Sequence, residues 1–158
     1  MAEQQISLLP LYKGWETYQG LLIKAIEPLS EDQLSLRIAP QLRSIGENAA
    51  HIVEARAGWL YYTLEKGDEH LVSQARQPVR SAAELVNGLQ ATWQVMQDAL
   101  SHWTTADLAA IVHDTDENGE DQTYTRQWVI WHLIEHDLHH GGELSFTLGM
   151  HGLPGIEI

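Results

Sequence analysis

The sequence predicts an all-α protein, a four-helix bundle whose long connection between the third and fourth helices carries a small hairpin. Three observations point there. Apolar residues recur at steps of three and four over four long segments. Two of these segments open on a Ser-x-x-Glu box, a helix-start signature. An Asn118-Gly119 pair sits between the strand-like runs "IVH" and "TYT".

The first helix is expected from about Leu8 to Glu27, with Pro10 in its first turn and Pro28 just beyond its end. Leu11, Trp15, Tyr18, Leu22, Ala25 and Ile26 make its apolar stripe. "EPLSEDQLSLRIAPQLRS" follows as a connection with room for a short helical turn. The second helix starts at Ser44, boxed with Glu47, and runs toward Gly67 as its stop. The third starts at Ser81, boxed with Glu84, and its stripe is Leu85, Leu89, Thr92, Trp93, Met96, Leu100 and Trp103. The fourth runs from near Thr125 to about Gly149. The tail "GMHGLPGIEI" is expected to be a loop or a dimer arm.

A chain of 158 residues, 44% hydrophobic, can bury a sizeable core, and 1–158 reads as a single domain. No apolar run approaches the roughly 20 residues that span a bilayer, so no membrane partner is expected. No secretion signal is visible, which makes the cytoplasm the expected location. A net charge of −13 without a basic stripe argues against nucleic acid. The absence of cysteine removes disulfides, thiolate metal ligands and an internal thiol nucleophile.

The chemistry concentrates in "WHLIEHDLHHGGE", which holds four of the nine histidines. On a helical wheel Val129, Leu133, His136, His140 and Leu144 fall in one row, so two core-type slots are histidine. His132 lies at the edge of that row and His139 points away. His51, on the second helix, edges the stripe of Ile45, Ala49, Ile52, Ala55, Trp59 and Tyr62. Packing of the two helices could bring it against His136 and His140. Three neutral imidazoles reach one ion at about 2.0–2.2 Å and suit zinc, nickel, copper or iron(II), with open positions left over. The alternative is that each is a hydrogen-bonded core histidine. Glu54 and Glu47 flank His51 by one turn, and either could orient the ring or act as general base. Glu143 falls one turn beyond His140. Trp59, Tyr62, Trp93, Trp128 and Trp131 are candidates for a substrate wall, or for core. "DTDENGEDQTYT" matches a calcium loop only in part, since its twelfth position is Thr125, and an acidic hairpin is the better reading.

"SIGENAAHIVEARAGWL", followed later by "TRQWVIWHLIEHDLHHGGEL", resembles the DinB-like superfamily of four-helix bundles (the DinB/YfiT-like type), which includes bacterial thiol-dependent transferases. The resemblance implies a metal triad of His51, His136 and His140. It also implies a divalent ion (zinc, nickel or iron), a low-molecular-weight thiol as co-substrate, an electrophilic small molecule and a homodimer. The family's His-Arg-Gly-Gln stop appears here as "HGGE", which removes an Arg and places Glu143 on the site's face. Related sulfoxide synthases carry His-x-x-x-His-x-Glu; Gly142 breaks that motif here. The expected function is therefore thiol transfer, with Glu54 and Glu143 as candidate catalytic groups. A metal-dependent hydrolase and a non-catalytic metal-binding stress protein are the alternatives.

Overall fold

The structure is a computed structural model that describes residues 6–78 and 81–158. A 3-10 turn (Leu9–Tyr12) leads into α1 (Lys13–Ile26). After the four-residue α2 (Glu31–Leu34) come α3 (Ile45–Gly58) and α4 (Glu69–Ala75). Then follow α5 (Ala82–His102), a second 3-10 turn (Thr105–Ala109), strands β1 (Ile111–Thr115) and β2 (Asp121–Thr125), and α6 (Arg126–Met150).

Local chemistry sets most of these boundaries. Ser44 and Ser81 accept from the backbone N–H of Glu47 and Glu84, whose carboxylates accept from the serine N–H in return. Ser30 and Gln33 close the same box on α2, and Asp68 and Thr125 cap α4 and α6 with their side chains. The strands pair antiparallel from Ile111 opposite Thr125 to Thr115 opposite Asp121. Their loop closes on Asp116, whose carboxylate accepts from the N–H groups of Asn118 and Glu120, while Gly119 takes φ +79°. The acidic residues there hold a turn.

The second helix departs from the expected continuous run to Gly67. Over Trp59–Thr63 the α-helix widens into a π turn, with Leu64 N–H donating to the carbonyl of Trp59. The seven-residue α4 has no counterpart in the expected element order.

Pairings fix the topology. Trp15 packs on Trp93 and Gln19 bonds to Leu89, so α1 and α5 run antiparallel. Arg56 meets Asp137 and His51 meets His140, so α3 and α6 also run antiparallel. Trp15 reaches Asp137 and Tyr18 lies against Gly141, so α1 and α6 are parallel. The bundle is up–down–down–up, and the link through α4 returns the chain so that α5 can follow the direction of α3.

The core has two apolar halves. One centres on Leu22, Ile26, Ile45, Ile52, Leu85, Leu89 and Leu144; the other on Leu8, Leu60, Met96, Leu100, Val129 and Leu133. Between them lies a polar layer of Gln19, Arg56, Thr92 and Asp137, all buried. The layer is fully hydrogen-bonded. Arg56 Nη2 donates to Asp137 Oδ2 at 2.6 Å, Arg56 Nε lies 3.0 Å from both carboxylate oxygens, and Arg56 Nη1 donates to Gln19 Oε1 at 2.6 Å. Trp15 Nε1 donates to Asp137 Oδ2 at 2.6 Å, Gln19 Nε2 to the Leu89 carbonyl, and Thr92 to that of Gly88.

Not every stripe position is buried. Leu11 is exposed although it continues the apolar face of α1, because the helix begins with a 3-10 turn that shifts its phase. The C-terminal residues fold back on their own helix: Ile156 N–H donates to Ser145 Oγ, and Leu153 and Ile156 pack against the core.

Candidate metal centre

Asp137 faces the polar layer, and His136 and His140, one residue before it and three after it on α6, lie against α3. His136 and His140 are thereby presented to His51. The ring of His51 lies 4.8 Å from that of His136 and 4.5 Å from that of His140, and His136 and His140 are 4.4 Å apart, centre to centre. One ring nitrogen from each of the three falls within 4.8 Å of the others, a group that could hold a metal ion.

The details suit an ion. His51 Nε2 and His136 Nε2 face each other at 3.1 Å. Two ligands about 2.1 Å from one ion at tetrahedral or octahedral angles stand roughly 3.0–3.4 Å apart. His140 Nδ1 lies 2.8 Å from Glu143 Oε2. A carboxylate only accepts, so Nδ1 carries the proton and Nε2 keeps its lone pair for the site. His136 Nδ1 is buried and has no partner. Burial, followed by the charges of His140 and His51, pushes the pKa of His136 down to about 3. Burial and the neighbouring Arg43 also depress His51. These rings are held neutral at physiological pH, the form that coordinates a metal. Glu143 lies below its ordinary range: burial acts upward, but the His140 hydrogen bond and the positive charges of His140, His139 and Arg43 outweigh it.

The other sequence candidates divide. Glu47 is occupied by the α3 cap and by Arg37, 3.1 Å away, so it does not orient His51. Glu54 is exposed, 3.8 Å from Arg76, and lines the cavities on both sides of His51. His139 is exposed and lies 3.4 Å from Glu143; with His140 and Glu143 it forms a second, more open donor group. His132 stacks on Trp128, with ring centres 5.1 Å apart and planes within 6°. Trp59 and Tyr62 line a cavity of about 570 Å³ beside His51, together with Tyr124, Asp114 and Asp116. Trp93 instead lies in the core against Trp15, and Trp131 is exposed.

Sequence reasoning missed Arg56 and Asp137, whose buried ion pair joins the two helices that carry the clustered histidines. A signal existed. Arg56 follows Ile52 by four residues and Asp137 follows Leu133 by four, so opposite charges occupy core-phase positions on facing helices.

A sequence model of the DinB superfamily matches residues 15–144, a span that contains all three clustered histidines. The chain belongs to the DinB superfamily. No curated protein matches it. Solved DinB-like proteins share its fold. One from Bacillus cereus is 23% identical with a TM-score of 0.73, covering 98% of this chain and 99% of that one. One from Bacillus subtilis is 18% identical with a TM-score of 0.61, covering 89% and 90%. DinB membership and the histidine cluster together describe a mainly helical protein with a possible metal site. Among the described residues no helix is long and apolar enough to cross a membrane.

Proposed function

We propose that this DinB-superfamily protein is a divalent-metal-dependent thiol transferase, with His51, His136 and His140 as the metal ligands. The observation that carries the reading is the convergence of three imidazoles beside open cavities in a chain without cysteine. A bound divalent ion supplies positive charge that lowers the pKa of a thiol in an open position. The residues do the rest. Glu143 fixes the tautomer of His140, Arg56 and Asp137 hold the faces of α3 and α6 together, and Trp59, Tyr62 and Tyr124 offer an apolar wall for an electrophile. With no thiol of its own, the chain takes its sulfur from a small molecule. Metal-loaded protein should conjugate at least one low-molecular-weight thiol to a chlorinated nitroarene or monochlorobimane. His136→Ala and chelation should each abolish the rate. Equal rates for wild type, variant and stripped protein would defeat the reading.

Glu54 favours a second reading, hydrolysis by metal-bound water with Glu54 as base. Its carboxylate is exposed beside His51, and its contact with Arg76 is loose. Turnover of an ester or amide without added thiol, lost in Glu54→Gln, would select it. Failure of both assays with metal retained would leave a metal-binding protein without catalysis.

The proposal extends to assembly as a homodimer. Leu138, Phe146 and Met150 stand exposed on the outer face of α6 around Gly142, where a helix could approach closely. A clean monomer mass by light scattering at high concentration would exclude this. A cytoplasmic location and a single functional unit over 1–158 belong to the same reading.

A further inference from the structure

The arginines of this acidic chain are not scattered. Among the described residues, Arg56 is committed to Asp137 and Arg126 lies over Trp103 beside Asp107. The other three, Arg37, Arg43 and Arg76, all line one cavity of about 650 Å³, and His51 lines it too. This cavity lies on the opposite flank of His51 from the Asp114 and Asp116 carboxylates. One flank of the cleft beside His51 therefore sets three arginines among three glutamates, while the other is predominantly acidic.

The three guanidinium groups differ in how far they are engaged. Arg37 donates to the Leu42 carbonyl and to Glu47, and Arg76 stands 3.8 Å from Glu54. Arg43 has no hydrogen bond or ion pair among the described residues. It precedes the Ser44 cap of α3 and lies two helical turns before His51, and its charge is felt at both His51 and Glu143. A cation in a chain of net charge −13 that still closes no ion pair among the described residues is an available binding group.

We infer that Arg43, flanked by Arg37 and Arg76, receives the carboxylate of a small-molecule ligand whose other end reaches the three histidines. This deepens the reading above by naming the charge class of the small molecule. A monoanionic carboxylate matches a single free guanidinium, and the planar fork suits its two oxygens. A dianionic phosphate would put surplus negative charge beside Glu31, Glu47 and Glu54, which line the same cavity. The carboxylate end fixes orientation and leaves the other flank, walled by Trp59 and Tyr124, for the second reactant.

Two titrations test this. Cobalt(II)-loaded protein is titrated with 3-mercaptopropionate and with its neutral amide, following the thiolate-to-cobalt absorbance. Metal-free protein is titrated with succinate and with inorganic phosphate, following the arginine side-chain N–H resonances. The anionic thiol should bind about three- to tenfold tighter than the amide. Arg43→Gln should bring that ratio close to one at unchanged cobalt content, and Arg43→Lys should restore part of it. Succinate, more than phosphate, should shift the Arg43 resonance. Equal affinity for both thiols in the wild type, or an unchanged ratio in Arg43→Gln, would overturn the anion site and leave the thiol reading standing. An Arg43 shift with succinate and no absorbance change with either thiol would support the anion site and remove thiol transfer. Tighter binding of phosphate than of succinate would overturn the carboxylate assignment.

Discussion

The proton on His140 Nδ1 is placed by Glu143, and that placement frees the ring's second nitrogen. Removing the partner should loosen the ligand without deleting it. Glu143→Ala is expected to lower metal affinity about 10–100-fold, measured by competition with a chromophoric chelator. His139→Ala should leave metal content unchanged, whereas His51→Ala and His136→Ala should lose most of it. His136 also carries a pH signature. Its ring titrates near 3 in the folded chain and near 6.5 when unfolded. Between those values the unfolded state binds the extra proton, so stability falls as pH drops from about 6.5 toward 3. Urea midpoints of chelator-treated protein at several pH values should show this slope, and His136→Gln should flatten it. At this scale the sequence was informative about the clustered histidines, because His136 and His140 occupy core-phase slots where a bundle prefers Leu. It said nothing of Arg43, whose significance depends on Arg37 and Arg76 being folded around the same cavity.

Among the elements, α3 and α6 hold the site through one buried ion pair. Asp137→Ala would strand the Arg56 guanidinium in the core, and a loss of about 3–5 kcal/mol is expected from chemical denaturation. Replacing both by apolar residues of similar volume should recover much of that stability while weakening metal binding, because the helices then lose their mutual rotational lock. Neighbouring glycines on α6 give a sharper contrast. A Cβ at Gly141 would collide with the Tyr18 hydroxyl, whereas one at Gly142 meets open space. Gly141→Ala should therefore cost about 1–3 kcal/mol, and Gly142→Ala should add roughly 0.5–1 kcal/mol of helix stability to the single chain. Element starts were legible because Ser44 with Glu47 and Ser81 with Glu84 are short-range signals. The π turn at Trp59–Thr63 was not, because a shift from i+4 to i+5 bonding leaves no residue-type mark. α4 was missed because seven residues show too little of a 3.6-residue period.

For the whole molecule, charge sets the partners it refuses. With net charge −13, duplex DNA at physiological salt should not bind measurably in a mobility-shift titration; a salt-sensitive micromolar affinity would contradict this. The four long helices and the hairpin could be read from periodicity and from Asn118-Gly119. Their up–down–down–up arrangement could not, since it depends on long-range pairs such as Trp15 with Trp93 and Arg56 with Asp137. The layer of Gln19, Arg56, Thr92 and Asp137 also bears on how the chain finds that arrangement. Leucines above and below the layer are nearly interchangeable, so a helix displaced by one turn would still bury a greasy face. The same displacement would press Arg56 against Leu133 or Gly141 and leave Asp137 without its donors. Mispaired intermediates therefore carry a bare charge in an oily interior, and only one alignment of the four helices escapes it. The layer acts as a proofreading step in assembly, rejecting wrong alignments more than it rewards the right one.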